Sequence, residues 1–135
     1  MYDDIFKDRG VVPCEPVCGL NPIGDCFRML PDRGEGYAWV YHVNPHVTIT
    51  IMNQKHYEDT LCVFEQPHYL CIGYFYSVSG EILTPYRRLV PGTIQSYMGR
   101  KSEYRMILHK NIPVESVSIT MTPEYYRTTL RNKYG

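Results

Sequence analysis

From Tyr37 onward, apolar and polar positions alternate along the chain with a period of two. In His46-Val47-Thr48-Ile49-Thr50-Ile51-Met52, Val47, Ile49 and Ile51 share one face while His46, Thr48 and Thr50 share the other. That period predicts a half-buried strand, one face packed and one wet. The aromatic and β-branched run Tyr37-Ala38-Trp39-Val40-Tyr41-His42-Val43 reads as the preceding strand. Asn44-Pro45 is the turn between them. Strands are further expected over 61–65, 69–78, 86–90, 93–98, 104–109 and 114–121. Ser79-Gly80 reads as a two-residue hairpin turn, and Pro91-Gly92 and Asn111-Ile112-Pro113 are breaks. About eight short strands with turn signals between them predict a mostly β fold, an antiparallel barrel or double sheet that protects its strand edges.

The two ends have a different texture. Pro13, Pro16, Pro22 and Pro31 interrupt residues 1–36, which read as an N-terminal arm closed by the turn cluster Asp32-Arg33-Gly34-Glu35-Gly36. At the other end, Thr122-Pro123-Glu124 has the form of an N-cap, a first-turn proline and a first-turn acid. A helix over 124–133 is expected from there, with Tyr126, Leu130 and Tyr134 on one face. The expected organisation is thus an arm (1–36), a β-barrel (37–121) and the start of a C-terminal helix (122–135).

Composition narrows the class. With 135 residues, 44% of them hydrophobic, the chain fits one ordered domain with one core. No apolar run approaches the roughly 18 residues of a membrane span. The acidic start Met1-Tyr2-Asp3-Asp4-Ile5 is unlike a secretory signal, so a cytoplasmic location is expected. The five cysteines (Cys14, Cys18, Cys26, Cys62, Cys71) form no CxxC pair and read as reduced thiols. Net charge is zero, but residues 1–85 carry a balance of −6 and residues 86–135 one of +6. With a pI of about 6.9, neutralisation between the halves is a better reading than a nucleic-acid surface.

The side chains that could carry chemistry are few. His42, His46, His56, His68 and His109 could supply imidazoles, and His56-Tyr57-Glu58 is the tightest local set. Ligand spacing typical of metal sites is absent, so hydrogen-bonded histidines are favoured; a metal, if held, would draw on His42, His56, Glu58 and His109. Cys62 and Cys71 sit in apolar strand runs, which suits packing better than nucleophilic attack. No nucleophile elbow or phosphate-binding glycine loop occurs. The expectation is a protein that is not an enzyme and needs no cofactor. Thirteen tyrosines suit a pocket for a small ligand, although strands favour tyrosine in any case. Trp39, Tyr41, Tyr74, Tyr76 and Tyr97, with Arg88 and Arg105, are the candidate ligand contacts. Only one of Arg87 and Arg88 can point inward from a strand; its partner would be a ligand carboxylate, or Glu65 or Glu81.

Phe64-Glu65-Gln66-Pro67, Ser79-Gly80-Glu81, Pro85-Tyr86-Arg87-Arg88-Leu89, His109-Lys110 and Met121-Thr122-Pro123-Glu124-Tyr125-Tyr126 occur in this order. Together they resemble the N-terminal domain of AraC-type transcription regulators, from about Gly36 to the end. The resemblance implies a cupin-like β-barrel that senses a small-molecule effector, and helices for homodimerisation. It also implies a C-terminal pair of helix-turn-helix units that binds DNA, which this chain lacks. The alternatives are a cupin-type metalloenzyme, drawing on the five histidines, and a dimerisation module without a ligand.

Overall fold

The computed structural model describes residues 11–14, 24–64, 70–83, 86–98 and 104–130. Among them it has eleven strands: β1 (Val11–Cys14), β2 (Asp25–Met29), β3 (Gly34–Asn44), β4 (Val47–His56), β5 (Thr60–Phe64), β6 (Leu70–Ser77), β7 (Gly80–Leu83), β8 (Tyr86–Leu89), β9 (Ile94–Met98), β10 (Tyr104–Leu108) and β11 (Val114–Met121). They form two antiparallel sheets, a seven-stranded one in the order β1-β2-β3-β4-β11-β6-β9 and a four-stranded one in the order β5-β10-β7-β8. The mostly β, antiparallel double sheet expected from the alternation is what the chain forms.

Local chemistry explains the joints. The β3–β4 hairpin closes where the His46 amide donates to Asn44 Oδ1 at 2.8 Å, an Asx turn over Pro45. Gly36 has a φ of 102°, and a Cβ there would collide with the Asn53 carbonyl oxygen on β4. Glycine alone suits that approach.

The two sheets enclose the core. One cluster joins Phe75, Val78 and Val114 to Cys62, Ile82, Leu89, Met106 and Leu108 across the layers. A second gathers Phe27, Met29, Ala38 and Val40, with Met52 packed on it, at the β2–β3–β4 end. These clusters mark the inner face of the large sheet.

Three expectations need correction, and one question that the alternation left open is answered. The arm over 1–36 contains two strands, β1 and β2, which continue the sheet from β3, and the last residues of its expected turn cluster, Gly34, Glu35 and Gly36, open β3 itself; residues 1–10 and 15–23 lie outside the described residues. Pro13 is tolerated because β1 is at the sheet edge. Ser79-Gly80 does not close a hairpin, because β7 pairs with β10 and β8 and belongs to the other sheet from β6. The C-terminal helix is a single wide π-type turn, Tyr125–Leu130. Its cap is as expected, the Tyr125 amide donating to Thr122 Oγ1 at 3.3 Å, while residues 131–135 lie outside the described residues. The alternation did not say which face of β4 packs, and it is the polar one: Thr50, Gln54 and His56 are buried, and Ile49 and Ile51 are on the outer side.

Candidate functional site

The inversion on β4 is repeated on β11. Registered pairs in an antiparallel sheet share a face, so the rows across the sheet can be read directly. The inner face carries the row Val40, Thr50, Ser118 and Gly73, and beside it the row His42, Thr48, Thr120 and Cys71. A third inner row is Ala38, Met52, Ser116 and Phe75. On β4, β11 and β6, positions that a filled core would give to leucine or phenylalanine are occupied by threonine, serine, cysteine and glycine. The result is a lane of small, mostly hydroxylated side chains between the sheets.

The lane has a closed and an open end. Towards the small sheet, Gln54 is 2% exposed and His56 1%, with Thr50 at 6% and Ser116 at 9%. Further along, Thr48, Ser118 and Thr120 are half-buried, and His42 at the rim is exposed. At this rim His42 Nδ1 lies 3.3 Å from Thr48 Oγ1 and its Nε2 lies 3.3 Å from Asp25 Oδ2. At the closed end His56 Nδ1 lies 3.2 Å from Thr60 Oγ1. Midway, Thr120 donates to the Cys71 sulfur at 3.7 Å. Burial pushes the Cys71 thiol above its ordinary pKa, and hydrogen bonds from Thr120 and Ser118 partly offset this.

Two groups in the lane stand out. Thr50 Oγ1 and Gln54 Nε2 are buried and have no hydrogen-bond partner among the described residues. A buried polar group left unmatched costs about 1–3 kcal/mol. Native proteins match nearly all such groups, with protein, water, an ion or a bound molecule.

The residues singled out from sequence lie elsewhere. Trp39 and Tyr41 stack at 5.5 Å between centroids, and Tyr74 and Tyr76 meet edge to face at 4.7 Å. Trp39, Tyr41 and Tyr74 belong to the outer face, and Tyr76 is 61% exposed. Arg88 pairs with Glu81 and Arg105 with Val63 on the outer side of the small sheet. Tyr97 is in register with Cys71, but its side chain is outside the described residues. The structure thus brings three of the aromatic candidates to one surface, and that surface faces away from the lane. Sequence reasoning missed Thr50, Gln54, Ser116 and Ser118. Their signal was the matching Thr/Ser alternation of β4 and β11, which puts both polar halves on one face.

The candidate metal ligands do not converge. His42 is at the rim, His56 at the closed end and Glu58 on the exposed β4–β5 turn. His109 lies against Ser79 and Glu81, with Ser79 Oγ 2.8 Å from its Nδ1 and Glu81 Oε2 3.3 Å from its Nε2. Among the described residues no three of His, Cys, Asp and Glu could hold a metal ion, and those named do not fit one; His68 lies outside the described residues. Nor is any described helix long and apolar enough to cross a membrane.

No protein-family model and no curated protein matches the chain. Solved structures do match, at low identity. An HTH_3 family transcriptional regulator from Vibrio cholerae has a TM-score of 0.50 and 9% identity, over 71% of this chain and 56% of that one. A cupin domain from Bordetella pertussis has a TM-score of 0.47 and 14% identity, over 67% of this chain and 96% of that one. Ectoine synthase from P. lautus has a TM-score of 0.46 and 13% identity, over 73% and 72%. The fold is cupin-like. The expectation that the chain is not an enzyme is corrected here, because similarly folded proteins include a named synthase as well as a regulator.

Proposed function

We propose that this chain is a small-molecule-binding domain of cupin-like fold, with its ligand in the lane between the sheets. The observation that carries this reading is the pair Thr50 and Gln54, buried with polar atoms unmatched in a lane of small side chains. A ligand that accepts from the Gln54 amide and exchanges a hydrogen bond with Thr50 offsets their desolvation. It also fills the volume that Gly73, Ser116 and Ser118 leave next to them. The Thr48, Thr120 and His42 end supplies the way in.

Two uses of such a site follow. In a sensor, the ligand acts by favouring one state of a larger protein over another; the resemblance to AraC-type regulators supports effector sensing, with DNA binding by units outside this chain. In an enzyme, the same pocket turns its ligand over, and His56 supports that use, because an imidazole in the lane can move a proton. Thermal-shift screening of sugars, polyols and small carboxylates tests the binding, since a ligand of the folded state raises Tm. Binders are then incubated with protein and followed by NMR. A Tm rise abolished by Gln54→Leu supports the lane, and an unchanged or a consumed ligand separates sensing from catalysis. A Tm rise that survives both Gln54→Leu and Thr50→Val places the ligand elsewhere.

A further inference from the structure

Cys14 and Cys26 are direct partners in the β1–β2 ladder, and Trp39 is the next residue of the same row. Registered pairs share a face, so all three side chains belong to the outer side of the large sheet. Opposite residues of an antiparallel pair have Cα atoms about 4.5 or 5.5 Å apart, according to whether the pair is hydrogen-bonded. A disulfide spans Cα separations of about 4.4–6.8 Å. Either kind of pair is therefore bridged with little movement of the backbone. No other two cysteines among the described residues are so placed: Cys62 is opposite Met106, and Cys71 is opposite Thr120 and Tyr97. Cys14 and Cys26 carry thiols in this structure.

The two thiols differ in access. Cys14 is half-buried on β1, the edge strand of the sheet, while Cys26 is buried at 7% exposure. From this pair we infer that Cys14 and Cys26 form a reversible disulfide by exchange with a low-molecular-weight disulfide of the glutathione class. The Cys14 thiolate attacks one sulfur of that disulfide, giving a mixed disulfide and releasing one thiol. The Cys26 thiolate then attacks the Cys14 sulfur and expels the second thiol. Two electrons pass from the protein to the small disulfide, and the two protons of the protein thiols end on the two released thiols. Burial screens Cys26 from the small disulfide but not from Cys14, which faces it across the ladder. The bond closes a loop over residues 15–25 and so restrains the unfolded chain. It also staples an edge strand that the sheet holds on one side alone. The stapled strand β2 carries Asp25, whose carboxylate meets His42 at the open end of the lane. The reduced thiols expected from the sequence are then one of two states, set by the redox poise of the surroundings.

Trp39 is the chain's single tryptophan, and a disulfide beside an indole quenches its fluorescence. The full chain is equilibrated with glutathione at rising ratios of oxidised to reduced form. Cleavage before Asp25 separates Cys26 from Cys14 and Cys18. Non-reducing mass spectrometry, with fragmentation between residues 14 and 18, then reads which cysteine carries the link. The expected result is a Cys14–Cys26 link, with a fall in Trp39 fluorescence and a rise in Tm in step, all reversed by dithiothreitol. The link is expected to form faster in the folded chain than in urea, where the ladder no longer holds the thiols together. Cys18→Ser is expected to keep these responses, and Cys14→Ser to lose the changes in fluorescence and Tm. A wild-type chain in which Cys14 ends as a glutathione adduct or linked to Cys18 overturns the inference whether or not the variants fold. So does a Cys14–Cys26 link that forms no faster in the folded chain than in urea, or a Cys14→Ser chain that keeps both responses.

Discussion

Ser118 stands between Thr50 and Gly73 in the central inner row, and a Cβ placed on Gly73 would lie 3.4 Å from the Ser118 Cβ. A methyl group therefore just fits, and anything larger enters the lane. Gly73→Ala is expected to fold with a stability change within about 1 kcal/mol. Gly73→Leu is expected to fill the lane and abolish the Tm rise given by any ligand found. Thermal shift with and without ligand checks both variants.

Thr50→Val and Gln54→Leu remove unmatched polar atoms at nearly constant volume. Each is expected to stabilise the ligand-free protein by about 1–2 kcal/mol while weakening ligand binding. Urea unfolding measures the first effect and calorimetric titration the second. Loss of stability in both variants would mean that the two groups are matched in solution.

The Glu81–Tyr86 pair sets a pH dependence on the outer side of the small sheet. The Tyr86 hydroxyl donates to Glu81 Oε1 at 2.9 Å. That hydrogen bond, with a second from His109, holds the Glu81 carboxyl below the usual glutamate range, and acceptance by Glu81 holds the Tyr86 phenol above the usual tyrosine range. A depressed carboxyl stabilises the fold above its unfolded pKa, and this contribution is lost as pH falls through the folded one. A raised phenol stabilises below its unfolded pKa and ceases to do so as pH rises through the folded one. Glu81→Gln is expected to flatten the acid limb of a stability–pH curve measured by urea unfolding.

The raised Cys71 thiol predicts slow alkylation. Near neutral pH, iodoacetamide is expected to modify Cys71 more slowly in the folded chain than in urea, because the thiolate is the reactive form. Bound ligand is expected to slow it further, since Cys71 lies in the lane. Peptide mass spectrometry over a time course reads both.

Gly36→Ala is expected to destabilise by more than 1 kcal/mol, given its positive φ and the Asn53 carbonyl beside it. Its Cm in urea, compared with that of Gly73→Ala, separates backbone strain from lane filling.

The strands were legible in the chain, and the orientation of the sheet was not. The alternation of Val47, Ile49 and Ile51 with Thr48 and Thr50 sets a period, but a period of two carries no label for inside and outside. The usual assumption buries the apolar half, and here both central strands bury the polar half. The same blindness sent Trp39, Tyr41 and Tyr74 to a pocket when they lie on the opposite face. β1 and β2 were hidden because proline-rich segments look irregular until a neighbouring strand supplies the ladder. Gly80 was read as a turn residue because glycine also marks the close approach that occurs there, against the Ile107 carbonyl.

The reversed faces also give this chain a rival to its own fold. If β11 slipped by one residue between β4 and β6, Val117 and Ile119 would turn inward and Ser116 and Ser118 outward on that strand. The slip would also turn Glu115 inward, since it shares the face of Val117 and Ile119, and would leave Thr50 and Gln54 inward on β4. Two features oppose the slip: the bulge between Glu115 and Ser116, which sets the pairing of β11 with β6, and the cost of burying the Glu115 carboxylate. The facing of the lane therefore depends on the register of β11, and removing the bulge at Glu115 is the change expected to turn the wrong face of that strand inward.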